Sequence, residues 1–180
     1  MKKYILSLVI LFSTSLIAQK QVLLNENFTK KMEDVKETWS DFEISTKVNA
    51  KDAKFVAHLC RYFSNSSPAQ PCDCSKGRVN IEMTKKDAVP FLEFPELPSC
   101  GVLKLGIQSN GKDTKRGFAL QKFQNNTWVL VDEIEVDAPP TGTCIMWEPK
   151  NATSKTPVKY RLIANKYGNV FVTDVYAEAF

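Results

Sequence analysis

The sequence predicts an all-β protein, a two-sheet antiparallel β-sandwich of jelly-roll type with at most one short helix. Several segments alternate apolar and polar residues with the period of two that is typical of half-buried strands. Gly, Pro and Asn separate these segments at short intervals, as turns between strands require. The spacing of apolar residues favours a helix in one short stretch, residues 30–38. These features favour two packed sheets over a helical or mixed fold.

The first strands can be predicted in order along the chain. Residues 22–28 are rich in apolar residues at alternate positions. Residues 30–38 fit a short helix, because apolar side chains recur there at helical spacing. Residues 41–48 alternate strictly, which predicts a strand. Residues 53–63 fit either period, and their aromatic and β-branched content favours a strand.

The rest of the chain continues the same pattern. Residues 102–108 and 158–164 alternate as regularly as the strand at 41–48. Shorter or less regular runs predict the remaining strands at 79–83, 91–94, 117–124, 127–136, 144–148 and 169–180.

One hairpin has a recognisable turn. Asn125 and Asn126 separate two strand-like runs, and Asn tolerates positive φ better than most residues. Trp128 follows this turn at the same parity as Leu130 and Ile134. That parity predicts that Trp128 belongs to the core.

The N-terminus has the three parts of a secretory signal peptide. Lys2 and Lys3 precede an apolar run, and Ala18 offers a small residue for cleavage. The apolar run is short for a membrane span, which needs about 20 residues. We therefore predict a signal peptide at 1–18 and a single β-sandwich domain at 19–180. A secreted, periplasmic or cell-surface protein with no membrane span after cleavage is expected.

The charge of the chain excludes one class of partner. The formal net charge is +4, and Lys2 and Lys3 supply half of it. The remaining charges of both signs are interspersed, so the sequence gives no electrostatic case for nucleic acid.

The first and last strands each place a carboxylate in an apolar stripe. Glu26 alternates with Leu24 and Phe28, and Asp174 alternates with Val172. A lone buried carboxylate costs several kcal/mol unless it is paired or bound to metal. If the terminal strands are neighbours, Glu26 and Asp174 can hold a structural Ca²⁺. The alternatives are that Asp174 accepts backbone N–H groups at a bulge or pairs with a cation, and that Glu26 faces solvent.

A family resemblance rests on several segments. They are LLNENF, GVLKLGI, NNTWVLVDEIEV, PVKYRLIAN and NVFVTDVYAEAF. This frame, roughly residues 22–180, resembles jelly-roll accessory modules of secreted bacterial surface and polysaccharide-processing proteins, such as calcium-dependent carbohydrate-binding modules and MAM-like modules. The resemblance implies that Glu26 and Asp174 hold a structural calcium. The segment 60–78 departs from the general pattern.

Five cysteines lie in the predicted mature chain, Cys60, Cys72, Cys74, Cys100 and Cys144. An oxidising compartment makes disulfides the expected state, and the odd number leaves at least one thiol outside them. Cys60 is expected to pair with Cys72 or Cys74, and Cys100 with Cys144 is a further candidate. A zinc site at His58 and the cysteines is disfavoured, because C-x-C spacing is unusual for zinc.

The sequence contains no motif for catalysis. His58 is the only histidine, so any Ser–His or Cys–His arrangement would have to use it. No G-x-S-x-G elbow occurs, and no cysteine lies in a recognisable nucleophile motif. We therefore predict a protein without catalytic activity.

Aromatic residues near strand ends are the predicted ligand contacts. Trp39, Trp147 and Tyr167 lie at such positions, where exposed rings can stack on sugars. The predicted function is binding or presentation to extracellular polysaccharide. A protein-interaction or adhesion module that binds a surface protein is the alternative, and a small polysaccharide-acting enzyme is the least favoured reading.

Overall fold

The computed structural model describes residues 20–28, 38–63, 78–82, 88–110, 115–137, 144–164 and 169–180. In these ranges the regular structure is eleven β-strands and no helix, which confirms the all-β prediction. The strands are β1 (Val22–Glu26), β2 (Ser40–Val48), β3 (Lys51–Phe63), β4 (Arg78–Glu82), β5 (Phe91–Glu93), β6 (Val102–Asn110), β7 (Lys115–Gln124), β8 (Thr127–Asp137), β9 (Cys144–Trp147), β10 (Tyr160–Ala164) and β11 (Asn169–Glu178).

Two predicted segments fall outside this description. The signal peptide at 1–18 is not among the described residues, and the helix expected at 30–38 is described only at its last position. Both stay predictions. Within the described ranges, no helix is long and apolar enough to cross a membrane.

All strand pairs are antiparallel and form two groups, which we call sheet A and sheet B. Sheet A runs β9–β6–β11, and β11 pairs on its other side with β4 and β1. Sheet B runs β8–β7–β10–β5–β3–β2. Strand β3 belongs to both groups, because its last three residues pair with β4.

Strand β3 changes sheet at Leu59. The β2–β3 pairing slips there, since Ser40 lies opposite Cys60 while Phe42 lies opposite Ala57. Leu59 has a φ of 50°, a left-handed conformation that is uncommon for a residue with a bulky side chain. Its N–H donates to Asp41 Oδ1 over 2.9 Å, so the carboxylate supports the bulge.

One cluster of buried side chains contains residues from both sheets. The buried cluster includes Ile81 and Val172 from sheet A and Leu92 from sheet B. Phe55 lies between two other buried rings in edge-to-face contact, 5.4 Å from Phe28 and 5.7 Å from Phe94. Edge-to-face pairs of this kind add to the stabilisation from area burial. The fold is therefore of the β-sandwich type that the alternation predicts.

A bulge in β11 explains the acid in the last strand. Val172 lies opposite Ile107, but Asp174 lies opposite Gly106, so Thr173 is an extra residue. Thr173 is fully buried. Beyond the bulge the parity reverses, and Asp174 lies half-buried on the face opposite Val175. The prediction that Asp174 shares the buried stripe of Val172 is wrong, and the bulge that was named as an alternative is present.

The described thiols are not in disulfides. Cys60 and Cys100 are both buried and free. Cys60 Sγ lies 3.3 Å from the carbonyl oxygen of His58 and 3.2 Å from that of Phe91, and its single S–H can donate to either. The expected bridges from Cys60 to Cys72 or Cys74, and from Cys100 to Cys144, are therefore not formed. Cys72 and Cys74 lie outside the described residues, and only the backbone of Cys144 is described.

Candidate functional site

The outer face of sheet B carries side chains that the core does not use. Along β10, Leu162 is buried toward the core, while Arg161 lies half-buried on the other face. Along β5, Leu92 is buried in the same way, and Phe91 lies half-buried on the outer face. The strand register places these outward residues side by side across the sheet. For example, Arg161 lies opposite Gln121 of β7.

Five residues on this face form a row that we call the aromatic strip: Trp128, Arg161, Phe91, His58 and Asp41. They come from β8, β10, β5, β3 and β2. With β7 included, the strip crosses six adjacent strands. At about 4.8 Å per strand spacing this is a length of roughly 24 Å.

Arg161 is the centre of the strip. Its guanidinium carbon lies 4.5 Å from the centroid of the Trp128 ring and 5.4 Å from that of Phe91. Its Nε donates to Gln121 Oε1 over 2.7 Å. Cation–π contacts within about 6 Å are attractive, so the two rings and the amide hold the guanidinium in one place.

His58 and Asp41 form the other end of the strip. The His58 ring is stacked on Phe91 with centroids 5.1 Å apart and an angle of 28° between planes. His58 Nδ1 lies 2.9 Å from Asp41 Oδ1. The pKa of Asp41 is lowered, mainly because its carboxylate accepts the Leu59 N–H, and also because His58 lies beside it. The same carboxylate thus supports the β3 bulge and orients the imidazole.

Apolar side chains flank the strip. Phe123 is 43% exposed, and its ring lies 5.2 Å from that of Trp128. Leu130 is 52% exposed and Val56 is 39% exposed. Partly exposed apolar side chains and fixed polar groups thus lie side by side on this face.

The structure separates the three aromatic residues that the sequence predicted. Trp147 is 6% exposed and belongs to the core cluster, so the expectation of an exposed ring there is wrong. Trp39 lies half-buried just before β2, with the Arg61 guanidinium 4.0 Å from its ring centroid. Its role as a ligand contact stays a prediction. Tyr167 lies outside the described residues.

Trp128 was predicted to be a core residue, and this prediction is wrong. The β7–β8 ladder pairs Leu120 with Asp132 but Gln121 with Leu130, so Val131 is an extra residue. Trp128 and Leu130 therefore face outward, whereas Ile134 beyond the bulge packs against the core. Parity along the sequence cannot detect such an insertion. The position of Trp128 directly after an exposed two-residue turn is the sequence signal that agrees with its outward orientation.

The two predicted calcium ligands do not share a face. Strands β1 and β11 are neighbours as expected, and Glu26 lies opposite Val175. Because side chains alternate along a strand, Asp174 points away from the face of Glu26. Glu26 Oε1 accepts the Phe28 N–H over 2.8 Å. Glu26 and Asp174 therefore do not fit one calcium ion, and among the described side chains no group of three or more His, Cys, Asp or Glu is arranged to bind a metal.

Cys60 lies next to the His58–Asp41 pair but is not arranged as a nucleophile. Desolvation by burial raises its pKa to about 12. The thiolate is the reactive form of cysteine, so the raised pKa disfavours a role of Cys60 as a nucleophile.

No protein-family model matches the sequence, and no curated protein matches it. Solved structures with a related arrangement include isomalto-dextranase from Arthrobacter globiformis T6 in complex with panose. Its TM-score is 0.49 at 11% identity, over 79% of this chain and 24% of the enzyme. The chain thus spans about a quarter of the length of that enzyme.

Two smaller proteins are covered almost completely. The K1 cleaved adhesin domain of Lys-gingipain from Porphyromonas gingivalis W83 has a TM-score of 0.47 at 15% identity, over 87% of this chain and 98% of the domain. The family 11 carbohydrate-binding module from Clostridium thermocellum, in complex with a β-1,3-1,4-mixed-linked tetrasaccharide, has a TM-score of 0.42 at 13% identity, over 89% of this chain and 95% of the module. With TM-scores below 0.5, these similarities carry no argument about function.

Proposed function

We propose that the protein is a non-catalytic module that binds an extracellular carbohydrate chain along the aromatic strip. The observation that supports this most is the continuous contact from Trp128 through Arg161 and Phe91 to His58, on a face that the core does not use. The resemblance of the sequence to carbohydrate-binding modules implies the same function.

The composition of the strip suits a sugar polymer. A pyranose has an apolar C–H face and a rim of hydroxyl groups. Aromatic rings offer a complementary apolar surface, and Phe123, which is 43% exposed, presents such a ring beside the half-buried Trp128. Gln121, Arg161 and Asp41 supply donors and acceptors beside the rings, which can bind the hydroxyl groups. A length of roughly 24 Å gives room for several sugar units.

The absence of catalysis is part of the proposal. A hydrolase of the Cys–His type would need a reactive thiol beside His58. The nearby thiol of Cys60 is buried, with two carbonyl oxygens within hydrogen-bond distance of its S–H. Its raised pKa keeps it protonated.

We also propose export of the chain, on the strength of the signal-peptide pattern at 1–18. Export would bring the strip into contact with extracellular polysaccharide. N-terminal sequencing of the protein recovered from outside the cytoplasm should begin at Gln19, and an intact Met1 in that fraction would contradict export by cleavage.

The direct test of binding is retention on insoluble glycans. We expect the parent protein to be retained on at least one glycan and Trp128→Ala to be lost from it. Met146→Ala is the matched control, because it removes a side chain that is 51% exposed on β9 of sheet A, whereas the strip lies on sheet B. Equal retention of the Trp128→Ala and parent proteins, or no retention on any glycan, would contradict the proposal.

A surface protein is the second candidate ligand. It is favoured by the exposed apolar side chains Val129 and Leu130 on β8, which are 40% and 52% exposed. In that case Leu130→Lys should abolish capture of the partner, while no glycan retains the parent protein.

A further inference from the structure

Arg161 has more binding capacity than its contacts in the fold use. The rings of Trp128 and Phe91 contact the guanidinium, and Gln121 accepts from Nε. Among the described residues, these contacts leave the N–H groups of the two terminal nitrogens available as hydrogen-bond donors. A guanidinium has five N–H donors, and a fork fixed in this way is preorganised for a planar acceptor.

The charge of Arg161 is not neutralised by a salt bridge within the described part of the chain. Glu93 lies opposite Arg161 in the β5–β10 register, but Glu93 Oε1 lies 3.4 Å from Lys159 Nζ. Two other acids are engaged as well: Asp41 of the strip lies against His58, and Glu43 of the same strand forms a salt bridge with Lys54. The neighbouring acids Glu93, Asp41 and Glu43 therefore form their ion pairs with residues other than Arg161.

A half-buried cation without a partner anion is unfavourable, because burial removes part of its hydration. The same desolvation lowers the pKa of Arg161, and the negative charge of the nearby Glu93 raises it by a smaller amount. An anionic ligand group would restore the lost interactions. Carboxylates fit best, because two parallel N–H···O bonds can form with the fork.

Building on the proposed carbohydrate binding, we infer that the ligand is an anionic polysaccharide and that Arg161 binds the carboxylate of a uronic acid unit. Trp128, together with the neighbouring Phe123, then contacts the sugar ring next to that unit. His58, which is 38% exposed in its side chain, supplies a further nitrogen beyond Phe91. Arg161 is therefore the residue that selects an acidic over a neutral sugar chain.

The probes for this inference are polygalacturonate, alginate, highly methyl-esterified pectin and dextran sulfate. Esterification removes the charge of the galacturonate units and keeps their backbone. We expect one of the two uronate polymers to bind, and the binding to weaken as salt is raised, because screening acts on the carboxylate contact. If polygalacturonate is that polymer, the esterified pectin should bind about tenfold more weakly or worse. Equal affinity for the acid and the ester would overturn the inference, and so would binding of dextran sulfate alone.

The matched variants are Arg161→Gln and Arg161→Lys. Arg161→Gln should lose uronate binding by about tenfold or more, and Arg161→Lys should retain only part of it, because lysine keeps the charge but not the fork. Lys104→Gln, on sheet A, is the control that removes a positive charge elsewhere. Gln121→Leu keeps Arg161 but removes the anchor of its Nε, so it should weaken binding even if the Arg161 variants fail to fold. Full uronate affinity in Gln121→Leu and in any folded Arg161 variant would contradict the inference.

The two proposals fail in different ways. Retention of neutral glycans that depends on Trp128 but not on Arg161 would leave the proposed function standing and overturn the assignment of Arg161. No retention on any neutral or acidic glycan would overturn both.

Discussion

Gly106 is a glycine because two side chains of the β11 bulge lie over its Cα. A Cβ at this position would lie 2.5 Å from Asp174 Oδ2 and 3.0 Å from Asp174 Cβ, and it would also meet Thr173 Oγ1. At such distances the side chains of the bulge would have to move, so the bulge disfavours any larger residue at position 106. The steric demand here is local and does not depend on what the protein binds.

Gly106→Ala should therefore destabilise the fold by about 1–3 kcal/mol, the usual cost of overpacking. The measurement is the free energy of unfolding from urea titration. Asp174→Ala in the same background should recover part of the loss, because it removes the Oδ2 contact. A Gly106→Ala protein as stable as the parent would contradict the bulge geometry.

Asp41 links stability to pH. Its ordinary pKa is 3.8, and the Leu59 N–H and His58 lower it in the folded protein. The ionised carboxylate is therefore bound more favourably in the folded state. Its contribution is fully present above the unfolded pKa of about 3.8 and is lost as the pH falls through the lower folded pKa.

The parent should melt at a higher temperature than Asp41→Asn at neutral pH, and the difference should shrink once the pH falls below about 4. Thermal melts of both proteins between neutral and acidic pH give the comparison. Glu43→Gln is the control, since it removes an exposed acid from the same strand without touching the bulge. If the difference in melting temperature between the parent and Asp41→Asn grew as the pH fell, the ionised Asp41 carboxylate would not be the stabilising form.

At the scale of the strands, the sequence was enough to place almost every element. All predicted strands are present near the predicted bounds, from β1 at Val22–Glu26 to β11 at Asn169–Glu178. Alternation reports burial on one face, and this signal is strong in a half-buried sheet. What alternation cannot report is a single extra residue. The bulges at Thr173 and Val131 each reverse the parity, and this reversal misplaced Asp174 and Trp128.

The candidate site was less predictable than the strands for the same reason. Arg161 and Phe91 become neighbours only through the β5–β10 pairing, which joins residues far apart in sequence. No local pattern encodes that order of strands. Trp147 is buried and not exposed as predicted, because a ring at the end of a strand can belong either to the core or to the surface.

The β7–β8 turn is an element whose chemistry can be tested directly. Asn125 and Asn126 have φ of 51° and 60°, so both central residues are left-handed. Asn126→Val should cost about 1–2 kcal/mol, because a β-branched residue is disfavoured in this conformation. Asn126→Gly should keep or slightly raise the melting temperature. Equal stability of the Val and Gly variants would show that the turn does not need positive φ.

For the molecule as a whole, the shared strand β3 predicts cooperative unfolding. β3 pairs with strands of both sheets, and the core contains residues from each. The two sheets therefore cannot separate without exposing the same buried rings.

Two single-tryptophan proteins test this. One keeps only Trp128, on sheet B, and the other keeps only Trp147, at the end of β9 in sheet A. In each protein, the urea midpoint of the fluorescence change should equal the urea midpoint of the circular dichroism change. A tryptophan signal that precedes the loss of strand signal in one protein would show that its sheet unfolds separately.

The hairpin tip that presents Trp128 also has a practical consequence for making the protein. Asn125, Asn126 and Thr127 form an N-x-T acceptor for N-linked glycosylation, and all three are exposed. A eukaryotic secretory host would be able to attach an oligosaccharide three residues before Trp128. That oligosaccharide would cover the end of the strip with the same class of molecule it is proposed to bind, so protein from such a host would be occluded unless Thr127 is replaced.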